Sequence, residues 1–136
     1  MIELLNQGLI AHLNRVAPEC QRIDDAIHWI EATHGTVRIR EVADRFGQSP
    51  RQFERVFLET VGIPAKTFAK IMRFQFTAHR LVTAGNPILA EIAADLDYVD
   101  QSHMNRDFKC LAGITPAQFA RKPVAFLQDG YLTENE

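Results

Sequence analysis

Arg51 and Arg55 stand four residues apart, with Gln52 and Glu54 between them, and further along Gln101, Ser102, His103, Asn105 and Arg106 form a second polar run with Lys109 behind it. Four residues are about one helical turn, so both arginines of the first run can lie along one groove. The arginine fork matches the guanine edge in the major groove of duplex DNA, and amide or hydroxyl side chains suit the other base edges. A lysine behind such a run serves a phosphate. A solvated helix face with an ordinary arginine pair would hold the same residue types, so the first run alone leaves both readings open.

Other chemistry finds less support. Asp97, Asp100 and His103 are the best acid-base cluster, but no nucleophile and base accompany them, and turn and cap positions already account for them. No enzyme is expected. His28 and His34 are six residues apart and fall on different helix faces, which argues for structural roles and against a metal pair. Cys20 and Cys110 match no metal spacing and are read as reduced, incidental thiols, Cys110 as a small buried one. No cofactor is implied.

The elements that position these runs follow from periodicity and breakers. Ile39 to Phe46 reads as a short helix presenting Val42, Ala43 and Phe46, and Gly47 supplies a left-handed turn residue. Ser49 then caps a second helix, with Pro50 at its first position and Gln52 at capping-box spacing. Phe53, Val56 and Phe57 point inward, leaving Arg51, Gln52, Glu54 and Arg55 outside. This is a helix-turn-helix.

The same pattern returns. Glu41-Val42-Ala43 is echoed by Glu91-Ile92-Ala93 at an offset of 50, whereas Arg55-x-Phe57 and Arg106-x-Phe108 are offset by 51, as are Gly62-Ile63 and Gly113-Ile114. The second copy therefore carries one extra residue at its internal turn. In it Ala90 to Leu96 repeats the short helix, Asp97 takes the place of Gly47, and Asp100 caps a helix running to about Leu111. Met104 and Phe108 face its core, and Thr115-Pro116-x-Gln118 caps a closing helix. Between the copies, Pro64 to Ala84 reads as one connector helix, stopped by Gly85-Asn86-Pro87. A core explains the repeated apolar residues but not two outward polar helices.

Ahead of the repeat, Leu4, Leu5, Leu9, Leu13 and Val16 make a helical stripe before Pro18, and Asp24 is read as the N-cap of the next helix, with Ile23, Ile27 and Ile30 inward and Gly35 as its stop. The expected architecture is all-α. Residues 1–22 form an N-terminal helix and linker, 23–63 the first helix-turn-helix unit, 64–84 the connector, 85–122 the second unit and 123–136 a tail.

Composition sets the bounds. The chain has 136 residues, 46% hydrophobic and 24% charged, with no run resembling a membrane span and no signal-peptide pattern, so no membrane and a cytoplasmic site are expected. The net charge of −2 hides an uneven distribution: from Thr36 to Lys122 there are 13 basic and 9 acidic residues, and the flanks carry 2 basic against 8 acidic. A basic middle is compatible with phosphate binding.

The segment from about Asp24 to Lys122 resembles the DNA-binding domain of AraC/XylS-type bacterial transcriptional regulators. Its densest motifs are Ser49-Pro50-Arg51-Gln52-Phe53-x-Arg55-x-Phe57, Arg73-Phe74, Asp100-Gln101-Ser102-His103, Arg106-x-Phe108-Lys109 and Gly113-Ile114-Thr115-Pro116. The resemblance implies seven helices, two helix-turn-helix units and sequence-specific binding to double-stranded DNA near promoters, with RNA polymerase as a further partner. By position it places base contacts on Arg51, Gln52, Glu54 and Arg55, and on Gln101, Ser102, Asn105 and Arg106. Arg73 is structural by the same reading. Asp97-Tyr98 departs from the family's Gly-Phe, and Asp97, Asp100 and Asp107 bring negative charge near the second reading helix. The family's usual sensing or dimerisation domain does not fit in this length, so the chain is read as a fragment or a short regulator, with a homodimer through the N-terminal helix or a missing domain also open. The alternative is an interaction module of the same fold that binds polymerase or another regulator without specific DNA binding.

Overall fold

Stop signals in the sequence cut the chain into helices, with a left-handed residue at Gly35, Gly47, Gly62, Asp97 and Gly113 and with Gly85-Asn86-Pro87 after the fourth helix. The computed structural model describes residues 2–121, with side chains for Gln7 and for residues 18–121. Within these residues it is all-α: α1 Ile2–Ala32, α2 Ile39–Arg45, α3 Pro50–Val61, α4 Ala65–Thr83, α5 Leu89–Asp95, α6 Gln101–Ala112 and α7 Pro116–Ala120. The side chains of the leucine stripe, and the tail from Pro123, lie outside the described residues. No described helix is long and apolar enough to cross a membrane.

Two units emerge from the packing, Met1–Ala69 and Lys70–Glu136. In the first, α3 packs on α1 and α2. Its core holds Ile23, Ala26, Ile30, Ile39, Val42, Ala43, Phe53, Val56, Phe57 and Ala65, all buried. In the second, α6 packs on α5 and α7 around Leu81, Ile92, Ala93, Leu96, Tyr98, Met104 and Phe108. The apolar spacing i, i+3, i+4 of α3 and i, i+4 of α6 is what turns one side of each helix inward.

One boundary differs from the sequence reading. Asp24 does not cap a separate helix; it is an exposed residue inside α1, which runs through Pro18. Proline removes one hydrogen-bond donor and costs roughly 3 kcal/mol in a helix interior. From Glu19 to Ile23 there is no glycine or second proline, so helical hydrogen bonds resume on the far side.

The two internal turns can be compared residue by residue. In the first, the Gly47 N–H donates to Asp44 O (3.1 Å) and the Gln48 N–H to Ala43 O (3.0 Å); in the second, Asp97 N–H donates to Ala94 O (3.2 Å) and Tyr98 N–H to Ala93 O (3.0 Å). Gly47 has φ +67 and Asp97 φ +55. The aspartate thus adopts the glycine conformation at a position where a Cβ is unfavourable by about 1–2 kcal/mol. Set against the greater unfolded-state freedom of glycine, Asp97→Gly is expected to stabilise the second unit by about 0.5–1 kcal/mol, read from denaturant unfolding. A destabilised variant would show that the Asp97 side chain contributes more than its backbone costs. Ser49 and Asp100 cap the following helices, so the extra residue of the second copy is Val99, which is 88% exposed. It bulges outward because both neighbours are already committed, Tyr98 to the core and Asp100 to the cap.

Candidate nucleic-acid interface

Ser49 Oγ accepts the Gln52 N–H at 3.2 Å and starts α3 sharply, so the residues just after it lie at the positive end of the helix. Phe53, Val56 and Phe57 take the buried side. Arg51, Gln52 and Arg55 are exposed on the other. Arg55 Nη1 lies 3.7 Å from Glu59 Oε1, one turn on, with both side chains largely in solvent. Such a pair is worth only about 0.3–0.5 kcal/mol, so it leaves the guanidinium available to a stronger partner. Glu54 differs from the other three: it is half-buried, and its Oε2 accepts the Ala65 N–H at 3.2 Å.

On α6 the cap is Asp100, whose Oδ1 accepts the His103 N–H at 2.7 Å. Gln101, Ser102, Arg106 and Lys109 are exposed, whereas His103 and Asn105 are half-buried. The His103 ring meets the Tyr98 ring edge-on at 5.2 Å, and its Nε2 lies 3.7 Å from Asp107 Oδ2. Asn105 Oδ1 is buried without a hydrogen-bond partner. The base-contact candidates that are exposed are therefore Arg51, Gln52 and Arg55 on α3, and Gln101, Ser102 and Arg106 on α6, with Lys109 exposed behind them.

The acidic residues near α6 are largely committed to the fold. Asp100 serves the cap, and Asp107 Oδ1 pairs with Lys70 Nζ at 2.9 Å. Their negative charge is thus held by the protein's own donors. Arg73 turns inward: its guanidinium carbon lies 4.9 Å from the centre of the Tyr98 ring, and its Nε is buried without a hydrogen-bond partner.

Burial raises the Tyr98 phenol above its ordinary 10.0, an effect that the Arg73 charge opposes and the Asp107 charge supports. A raised folded-state value means that the native state holds this proton more tightly than the unfolded one. The associated stability is complete below pH 10 and is lost as pH rises through the folded value. Alkaline unfolding of native chain and Tyr98→Phe should therefore diverge above pH 10, with the native chain losing stability more steeply.

Cys110 is exposed rather than buried. It stands two residues beyond Phe108, which at about 100° per residue turns it away from the Met104 and Phe108 side. Two of the interactions invisible to helical spacing are the Glu54 contact with Ala65 and the Lys70 pair with Asp107. The first had a signal, since Pro64 has no side-chain acceptor with which to cap α4.

The model of a family described as a helix-turn-helix domain matches residues 42–122. The HTH-type transcriptional regulator Rv1931c of Mycobacterium tuberculosis is 32% identical over 87 residues, which cover 64% of this chain; the chain spans 33% of that regulator's length. The C-terminal domain of AraT, a response regulator from Geobacillus stearothermophilus, is similar in fold, with a TM-score of 0.68 at 21% identity, over 84% of this chain and 96% of that one. So is the DNA-binding domain of AdpA, a global transcriptional factor solved in complex with a target DNA, with a TM-score of 0.68 at 20% identity, over 79% of this chain and 97% of that one.

Proposed function

The chain belongs to the AraC-type helix-turn-helix family, and on that premise we propose that it is a sequence-specific DNA-binding transcriptional regulator that reads two successive major grooves with α3 and α6. The carrying observation is the repetition of one device. Each helix is opened by a side-chain cap, closed by a left-handed glycine at Gly62 or Gly113, buried on one side and polar on the other. Arg51, Gln52 and Arg55 read the first half-site and Gln101, Ser102 and Arg106 the second. The AdpA domain, similar in fold, was solved on a target DNA, which supports a duplex as the partner. Residues 23–63 and 85–122 act as the two reading units and 64–84 as their connector. RNA polymerase is the partner through which bound regulator acts on transcription.

Lys109 follows Arg106 by three residues on α6 and is exposed. It serves a phosphate. Lys109→Ala should weaken all duplexes alike and reduce the slope of log affinity against log salt by about one unit. Lost discrimination between sites, with an unchanged slope, would assign this lysine to a base.

The test of the function is selection of the purified chain against random duplexes, with affinities for the winners at two salt concentrations. A bipartite consensus with centres about 10–10.5 base pairs apart and steep salt dependence is expected. A single half-site would limit reading to one helix. No enrichment would overturn the proposal in favour of an interaction module.

A further inference from the structure

The repeat allows each residue of α3 to be compared with its counterpart on α6, and one position behaves unlike the rest. At an offset of 51, Glu54 corresponds to Asn105, Pro64 to Thr115 and Ala65 to Pro116. Ala65 and Pro116 are both buried and both open the helix that follows. The carbonyl of Pro64 accepts the Phe68 N–H at 3.0 Å, which makes Pro64 the cap residue of α4. A proline side chain offers no acceptor, so the N–H groups of the first turn need a partner from elsewhere. Glu54 Oε2 supplies it from α3, eleven residues earlier.

In the second copy the demand is absent. Thr115 caps α7 locally, accepting the Gln118 N–H while Gln118 Oε1 accepts the Thr115 N–H, and Pro116 has no N–H to satisfy. Asn105, at the place of Glu54, is correspondingly left with a buried Oδ1 that has no partner. Both copies thus hold a half-buried polar side chain at this position, and only in the first does it meet a backbone donor.

We propose that Glu54, though carried on a recognition helix, is a positioning residue: its carboxylate ties α3 to the first turn of α4 and reads no base. This rests on the reading of α3 as a recognition helix. A glutamate could in principle accept from a cytosine N4 amine. Here one oxygen already holds the Ala65 N–H, and a carboxylate turned instead to the groove would leave that N–H unpaired among buried groups while approaching the phosphates. The neighbours Arg51, Gln52 and Arg55 bear the base contacts of the first half-site, with Glu54 setting how they are presented.

The experiment uses the full chain, random-duplex selection, half-site affinities and amide exchange at Ala65 without DNA, on Glu54→Gln and Glu54→Ala. Glutamine keeps the acceptor and should leave every preferred base, the half-site affinity and Ala65 exchange unchanged. Alanine should leave the preferred bases unchanged, speed Ala65 exchange, and weaken the first half-site roughly tenfold with the second unaffected, the scale set by loss of a helix cap. A switch of one preferred base in Glu54→Gln, from cytosine to adenine above all, would overturn the proposal, since glutamine pairs with adenine. So would unchanged Ala65 exchange in Glu54→Ala, or a lowered melting temperature with unchanged half-site affinity. If the native chain selects no duplex, the regulator reading falls and this role with it, a result distinct from those in which the native chain still selects its site.

Discussion

Phe108→Ala is expected to destabilise the second unit by about 3–5 kcal/mol, the range for truncating a buried phenylalanine. Phe108 is 1% exposed, with the Phe74 ring 4.7 Å away on α4 and the Phe119 ring 5.4 Å away on α7. One side chain therefore joins α6 to two other helices, and its loss leaves a space that rings held at their edges by separate helices cannot easily close. Single domains have only about 5–15 kcal/mol of stability, so the variant should retain little margin at physiological temperature. Denaturant unfolding followed by circular dichroism measures the loss. The binding consequence should be selective: the second half-site disappears from the selected consensus while the first persists, because every neighbour named belongs to the second unit. A loss below about 1 kcal/mol would mean that the core collapses onto the gap, contrary to close packing.

Arg55→Ala and Arg106→Ala should each reduce specific binding by about 1–3 kcal/mol and relax the preferred base at one position of the consensus. The two arginines occupy equivalent places in the repeat, two residues beyond Phe53 on α3 and two beyond Met104 on α6. Both are exposed. The Glu59 partner of Arg55 is too weak to compete, since an exposed pair one turn apart yields about 0.3–0.5 kcal/mol against the 1–3 of a bidentate guanine contact. Affinity for the selected duplex and for single-base variants of it gives both readouts. Unchanged affinity would remove that arginine from the reading face, and an equal loss on every duplex would make it a phosphate contact.

Much of this architecture was legible because it rests on local physics. The caps at Ser49, Asp100 and Thr115 depend on residues three apart, the left-handed turns on a glycine or an aspartate at a fixed place, and the buried faces on helical spacing. The extra residue of the second copy was also visible as a change of offset, and the structure identifies it as Val99. What spacing could not provide was orientation within the polar faces. Glu54, His103 and Asn105 look as outward as Arg55 on a helical wheel, yet each is half-buried; Glu54 meets α4 and His103 meets Tyr98 in the preceding turn, contacts that spacing within one helix does not encode. Pro18 misled in the opposite sense, since a breaker acts on one hydrogen bond while the residues after it continue the helix. Cys110 was assigned by residue type, when its angular distance from Phe108 already turned it outward.

The sequence contains two cysteines, both exposed, Cys20 in the first unit and Cys110 in the second. The native chain is thereby supplied with one attachment point for a thiol-reactive dye in each unit, without any engineered change. Donor and acceptor dyes on these positions would report the separation of the units by energy transfer, molecule by molecule. Comparing the free chain, the selected DNA and a duplex bearing only one half-site would show whether reading both half-sites changes that separation. The same exposure makes a reducing agent necessary in storage, since thiols on different molecules can join and would imitate a dimer.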